Sequence, residues 1–184
     1  DEILVLDSMV ESATVDAVDA LKRHDLKQAK IVYDFDARIN ARRFELENEA
    51  IITIATQQPL MAGDLRMVAS ILEVVGELER MGDYAKGIAK ITLMIGREPH
   101  VKPLIDIPKM SELVVDMLHR AVSAFVNLDV ETARAIPAED DPVDDLYIQV
   151  YRDRAEVILN DPSTGDQANH LLWAAHNLER MADR

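Results

Sequence analysis

The sequence predicts an all-α fold, and three observations support this prediction. Of the 184 residues, 48% are hydrophobic but only 4% are aromatic, which favours helices packed through Leu, Ile, Val and Ala over a β-sandwich. Gly (6) and Pro (7) are sparse. Apolar residues recur at helical spacing along most of the chain. The length suits one mid-sized domain or two small fused units.

The first half of the chain is predicted to contain three helices. The first covers residues 3–21 and ends at a break near residues 24–25. A second apolar pattern follows through residues 31–54. The third helix should begin after the turn-like sequence QQPLMAGD, with Asp64 as its N-cap, and should run towards Gly96.

The second half is predicted to repeat this organisation after a linker. The sequence GREPHVKPLIDIP contains three prolines, which interrupt helices, so we assign 1–96 to one unit, 97–108 to the linker and 109–184 to a second unit. A fourth helix is expected over 109–127 and a fifth over 129–160. A sixth should begin near Asp166, after the loop NDPSTGD.

Self-comparison of the sequence indicates an internal duplication. AVDALKRHD at 17–25 aligns with AVSAFVNLD at 121–129 at an offset of 104. ELERMGDY at 77–84 aligns with NLERMADR at 177–184 at an offset of 100. The second copy has therefore lost four residues, which we place in the loop between its last two helices because deletions there cost little. The predicted fold is two tandem three-helix bundles.

Each copy carries acidic side chains at matched positions. Glu79 and Asp83 are four residues apart, as are Glu179 and Asp183, so each pair shares one helix face. Like charges at this spacing repel each other, so they require either solvation or a cation between them. The neighbouring middle helices offer further oxygen donors at positions Asp36, Asn40, Asp140 and Asp144.

These oxygen donors predict one cation site per bundle. Carboxylate and amide oxygens suit Mg²⁺, Mn²⁺, Fe³⁺ or Ca²⁺ and, less distinctively, Zn²⁺. A single Glu-x-x-x-Asp pair is weak evidence, but its recurrence in both copies strengthens the prediction. The alternative interpretation is that Arg80 and Arg180 neutralise the acids in surface ion pairs.

Other features of the sequence exclude several classes of function. The formal charge of −14 disfavours nucleic acid and anionic membrane surfaces as partners. The chain contains no Cys and no apolar stretch near the ~20 residues of a bilayer span, so we expect a cytoplasmic protein without membrane insertion. We find no catalytic residues and no paired-histidine motif. His176 lies one turn before Glu179 and is close enough along the helix to touch that cluster, but we favour packing at the edge of the core.

Two segments carry a resemblance to a known family. QQPLMAGDLRMVASILEVVGELERMGDYAKGIAK at 57–90 and HNLERMAD at 176–183 resemble the two repeat signatures of the PhoU family. The resemblance implies multinuclear iron or zinc clusters on the acidic motifs named above. Asn40 and Ala182 depart from that pattern, which has a second acid and a Gly at these positions. Because the second copy stops at Arg184, we expect its last helix to be truncated and the natural chain to extend beyond both ends.

The resemblance also implies a function. The likeness to PhoU proteins implies a non-enzymatic adaptor that represses phosphate-starvation signalling by linking the phosphate ABC transporter ATPase to a sensor histidine kinase. An accessory domain of a sodium–phosphate cotransporter is one alternative, and a carboxylate-metal hydrolase or oxidase is another, although no base or nucleophile accompanies the acids. The sequence leaves open which metal binds, which kinase and transporter are the partners, and whether the chain forms a homodimer.

Overall fold

The computed structural model describes residues 2–184, and these residues form helices joined by short connections. The all-α prediction is confirmed. In chain order the helices are α1 (Glu2–Arg23), α2 (Leu26–Thr56), α3 (Ala62–Ile95), α4 (Asp106–Asn127), α5 (Val130–Ala135), α6 (Asp141–Asn160) and α7 (Gly165–Ala182). Short 3₁₀ turns at Ile136–Glu139 and Pro162–Thr164 precede α6 and α7.

The duplication is visible in the turn that follows the first helix of each copy. His24 and Leu128 occupy the same position in the two copies, and both adopt a left-handed conformation with φ of 55°. The next residue is an Asp that caps the following helix. The Asp25 side chain accepts hydrogen bonds from the backbone N–H groups of Lys27 and Gln28, and Asp129 accepts one from Thr132. Each Asp thereby satisfies N–H groups that lack partners within the helix.

The predicted helix over residues 129–160 is wrong as a single element. The structure divides it into α5, a 3₁₀ turn and α6, and the division falls between Pro137 and Pro142. Proline has no N–H to donate and its ring clashes with the carbonyl four residues earlier, so a continuous helix cannot pass through both positions.

Two helix starts differ from the predicted ones, and a third lies within one residue of its prediction. Met61 is the N-cap residue of α3 and Asp64 lies in the first turn, where its charge still favours the helix N-terminus. The fourth helix starts at Asp106, inside the predicted linker, because Pro108 is tolerated in a first turn. The last helix starts at Gly165, one residue before the predicted Asp166.

One continuous apolar core joins the two bundles. Helices α1, α2 and α3 pack together in the first bundle, and α4, α6 and α7 pack together in the second. The bundles meet through α1 with α4 and through α3 with α7. The core includes Leu6 and Ile39 from the first bundle and Met110 and Leu178 from the second, each buried almost completely. Burial of each such side chain stabilises the fold by about 1.5–3 kcal/mol.

Close approach of α2 and α3 positions the predicted acids of the first bundle. A Cβ atom added to Gly82 would lie 3.1 Å from the Ile39 side chain, so the absence of a side chain lets α2 come near α3 at this turn. The residue at the matching place in the second copy is Ala182.

Among the residues that the structure describes, no helix combines the length and apolarity that a bilayer crossing requires.

Candidate cation sites

The acids predicted in the first bundle lie together across α2 and α3. We define the first carboxylate cluster as Asp36, Asn40, Glu79 and Asp83. Asp36 is only 6% exposed, and its Oδ1 atom is buried without a hydrogen-bond partner. Burial and then the Asp83 charge raise the pKa of Glu79, while burial and then the Asp36 charge raise the pKa of Asp83. Asp36 on α2 and Asp83 on α3 are close enough that the Lys86 ammonium lies within 4.0 Å of both.

Cationic side chains of the protein already lie in the first cluster. The Lys86 Nζ atom is 2.6 Å from Asp36 Oδ2 and 4.0 Å from Asp83 Oδ1. Its hydrogen bond to Asp36 raises the pKa of Lys86. Arg43 Nη1 is 3.7 Å from Glu79 Oε2, and Asn40 Nδ2 donates to Asp36 Oδ2 at 3.3 Å. Arg43 also pairs with Glu47 at 2.9 Å, so the three carboxylates share one ammonium and part of one guanidinium.

The acids predicted in the second bundle also lie together, at the start of α6 and the end of α7. We define the second carboxylate cluster as Asp140, Asp144, Glu179 and Asp183. Asp140 Oδ1 is buried without a hydrogen-bond partner, and Glu179 Oε2 is buried beside the His176 ring. Burial is the main cause that raises the pKa of Asp140, and the negative charges of Asp144 and then Asp183 raise it further. Burial is the main cause that raises the pKa of Glu179, and the negative charges of Asp183 and Asp144 raise it further.

Few positive groups neutralise the second cluster. The Nδ1 atom of His176 is 3.1 Å from Glu179 Oε2, so His176 touches the cluster, a contact that the sequence allowed but did not favour. Arg180 Nη1 is 3.4 Å from Asp183 Oδ2, and this supports the ion-pair interpretation for one acid. Arg80, its counterpart in the first copy, pairs with Glu77 at 2.5 Å. Four carboxylates therefore face one guanidinium and one imidazole.

The chemistry of the second cluster fits a multivalent cation better than that of the first. Buried carboxylate oxygens without a partner are costly unless a cation compensates them. Each cluster has one such oxygen, Asp36 Oδ1 in the first and Asp140 Oδ1 in the second, but the first holds the Lys86 ammonium and the second holds no lysine. The residues that would bind a cation are therefore Asp140, Asp144, Glu179 and Asp183, with His176 within reach of the same site.

A third group of potential ligands was not predicted from the sequence. Among residues 2–184, Asp7, Glu11 and His119 are the one set of three or more such side chains whose ligand atoms all lie within 4.8 Å of one another. The two carboxylate clusters are thus more open, and their side chains would have to draw together to enclose an ion. Asp7 and Glu11 have the i, i+4 spacing that signalled the other acids, but His119 reaches them only through the packing of α4 on α1.

The chain matches the PhoU domain family twice, at residues 3–92 in the first bundle and at residues 107–184 in the second. The phosphate-specific transport system accessory protein PhoU homolog of Aquifex aeolicus is 36% identical over 180 residues, which cover 98% of this chain and 81% of that protein. The Escherichia coli K12 protein, named phosphate-specific transport system accessory protein PhoU, is 30% identical over 183 residues, with 100% of this chain and 76% of that protein covered.

Solved structures show the same architecture. The crystal structure of PhoU from Pseudomonas aeruginosa matches with a TM-score of 0.91 and 29% identity, covering 99% of this chain and 87% of that one. The phosphate transport system regulatory protein PhoU from Streptococcus pneumoniae matches with a TM-score of 0.89 and 26% identity, covering 99% and 85%.

Proposed function

Because this chain belongs to the PhoU family, we propose that it is a non-enzymatic, negative regulator of a phosphate-specific transport system. In this proposal it represses phosphate-starvation signalling by linking the ATPase of the phosphate ABC transporter to a sensor histidine kinase. The relatives are named as accessory proteins of a phosphate transport system, which supports the transporter as a partner.

The observation that carries the proposed cation-dependent role is the second carboxylate cluster. It gathers acids from the start of α6 and the end of α7 around the buried Asp140 Oδ1 atom, which lacks a hydrogen-bond partner. A bound cation would supply the positive charge that these acids lack. Iron or zinc is proposed by family resemblance, and the oxygen donors also accept Mg²⁺, Mn²⁺ or Ca²⁺. Bound by acids from both helices, the ion would hold the start of α6 against the end of α7.

The α2–α3 hairpin offers a surface for the transporter ATPase. At 1.5 Å per residue, α2 and α3 are about 47 and 51 Å long, whereas α1 is about 33 Å long, so the hairpin extends past α1. Its distal part exposes the large apolar side chains of Phe44, Ile51, Ile52, Met61, Leu65 and Met67. An exposed apolar surface of this kind is typical of a protein interface. We assign the ATPase to this surface and the kinase to another face of the bundles.

The regulatory role can be tested in cells that lack this protein. A phosphate-starvation reporter should become active in phosphate-rich medium and should be silenced again by the wild-type chain. An Ile51→Glu/Ile52→Glu variant should fail to silence it and should bind the purified ATPase at least tenfold more weakly. Leu159→Glu is the matched control, because Leu159 is also exposed but lies on α6. A reporter that stays silent without the protein would refute the proposed function.

A further inference from the structure

Asp7, Glu11 and His119 form a compact group where the two bundles meet. Asp7 and Glu11 lie one turn apart on α1, and His119 comes from α4. His119 Nδ1 is 3.0 Å from Glu11 Oε1, and one ligand atom from each residue lies within 4.8 Å of the other two. The group shares no residue with either carboxylate cluster.

The Asp7 side chain shows that this group is more than a surface ion pair. Asp7 is only 3% exposed, and its Oδ1 atom is buried without a hydrogen-bond partner. A buried carboxylate without a partner is unfavourable unless a cation compensates it. Burial, and then the Glu11 charge, raise the pKa of Asp7 to about 7, while His119 acts in the opposite direction. The protein alone therefore leaves this carboxylate poorly compensated.

The second copy provides an internal control for the packing role of these acids. At the offset of 104, Ser111 and Val115 of α4 occupy the places of Asp7 and Glu11 of α1. Ser111 is buried as Asp7 is, but it carries no charge. Packing of the equivalent helix thus does not require an acid at either position, and the two acids on α1 call for another explanation.

We propose that Asp7, Glu11 and His119 bind a divalent transition-metal ion, with Zn²⁺ preferred, between α1 and α4. One imidazole nitrogen and two carboxylate oxygens are ligands that Zn²⁺ accepts, and three protein ligands leave a coordination position for water. The imidazole disfavours Mg²⁺ and Ca²⁺, which prefer all-oxygen sites. A solvent-accessible groove that includes Glu11, Asp19, Glu112 and His119 provides the route of entry.

Such a site would join the two bundles directly, since α1 belongs to the first and α4 to the second. The two carboxylate clusters differ in this respect, because each lies within one bundle. The proposal is therefore independent of whether either cluster binds a cation.

The test uses the full chain, freed of metal with a chelator, and Zn²⁺ as the only added ligand. Zinc binding is measured by competition with a chromogenic chelator, and the histidine side chains are followed by ¹⁵N NMR of the imidazoles. We expect the His119 imidazole to shift on zinc binding and to stay unchanged with Mg²⁺. His119→Gln should lose one zinc equivalent or bind it at least tenfold more weakly, and Asp7→Asn should do the same.

Folding and specificity are controlled within the same experiment. The His119 side chain is 67% exposed, so His119→Gln should keep the wild-type circular dichroism spectrum. His170→Gln is the matched control, because His170 packs against Trp173, away from the acids, and this variant should bind zinc as the wild type does. An unshifted His119 imidazole at saturating zinc would overturn the proposal. Equal zinc stoichiometry and affinity in wild type and His119→Gln would also overturn it.

Discussion

Removing one acid from each carboxylate cluster should change stability differently in the metal-free protein. Asp36→Asn removes the carboxylate that accepts the Lys86 ammonium at 2.6 Å. Asp140→Asn removes a carboxylate whose Oδ1 has no partner and whose pKa is raised by burial and by Asp144 and Asp183. The side chain of Asp140 does not cap α6, so the amide loses no capping hydrogen bond.

The expected magnitudes follow from these contacts. A hydrogen bond to a charged group contributes about 1.5–3 kcal/mol. Because the Lys86 side chain is 32% exposed, screening by solvent reduces this contribution, and we expect Asp36→Asn to cost about 1–2 kcal/mol. At about 2–4 °C per kcal/mol for a domain of this size, Tm should fall by about 2–8 °C. Asp140→Asn should change stability by less than about 0.5 kcal/mol or increase it.

Urea unfolding at pH 7 in the presence of a chelator measures both effects. Lys86→Met, alone and combined with Asp36→Asn, completes a double-mutant cycle, and the coupling between the two sites should be about 1 kcal/mol. Lys86→Met combined with Asp140→Asn is the control and should show additive effects. Equal losses for Asp36→Asn and Asp140→Asn, or a larger loss for Asp140→Asn, would refute the assignment of Lys86 as the counter-ion of the first cluster.

Three further predictions concern cations, glycines and capping. Zn²⁺ at a hundredfold excess over its Kd should stabilise the chelator-treated protein by about 2.7 kcal/mol per site. In thermal unfolding, Asp183→Asn should remove more of this stabilisation than Asp83→Asn does. The reverse order would contradict the ranking of the two clusters. Gly76→Ala should stabilise the fold by about 0.5–1 kcal/mol in urea because no heavy atom lies within 4 Å of the added Cβ. Gly82→Ala should gain less because of the 3.1 Å contact with Ile39, and equal gains would show that Ile39 yields freely. Asp25→Ala should cost about 1 kcal/mol in thermal unfolding through loss of the α2 cap, whereas Asp25→Asn should cost little.

Much of the fold could be predicted because the apolar pattern and the duplication support each other. The break near residues 24–25 is confirmed, and its counterpart at Leu128 follows from the repeat. The interruption between α5 and α6 was missed because apolar residues continue at helical spacing through it, although Pro137 and Pro142 were visible in the sequence. Helical spacing reports which face is apolar, but it does not report whether the backbone hydrogen bonds are continuous.

The candidate sites were predictable only in part. The repeated acids were found because they lie at fixed spacing within helices, and the structure brings each pair near the predicted partners. Lys86 was missed as the counter-ion of Asp36, which lies 50 positions away on another helix. His119 was missed for the same reason, since its position beside Asp7 depends on how α1 packs against α4. Contacts of this kind are set by tertiary packing, for which spacing along the chain gives no signal.

The Lys86 ammonium has a consequence for how the two halves respond to their surroundings. A tethered ammonium cannot diffuse away, so the α2–α3 pair keeps its charge balance at any concentration of dissolved metal. The second carboxylate cluster contacts Arg180 and His176 but holds no lysine, so in the proposed cation-dependent role it would take further positive charge from solution. Under that proposal, the duplicated chain would combine one helix pair that carries its own counter-ion with a second pair whose rigidity follows the supply of ions.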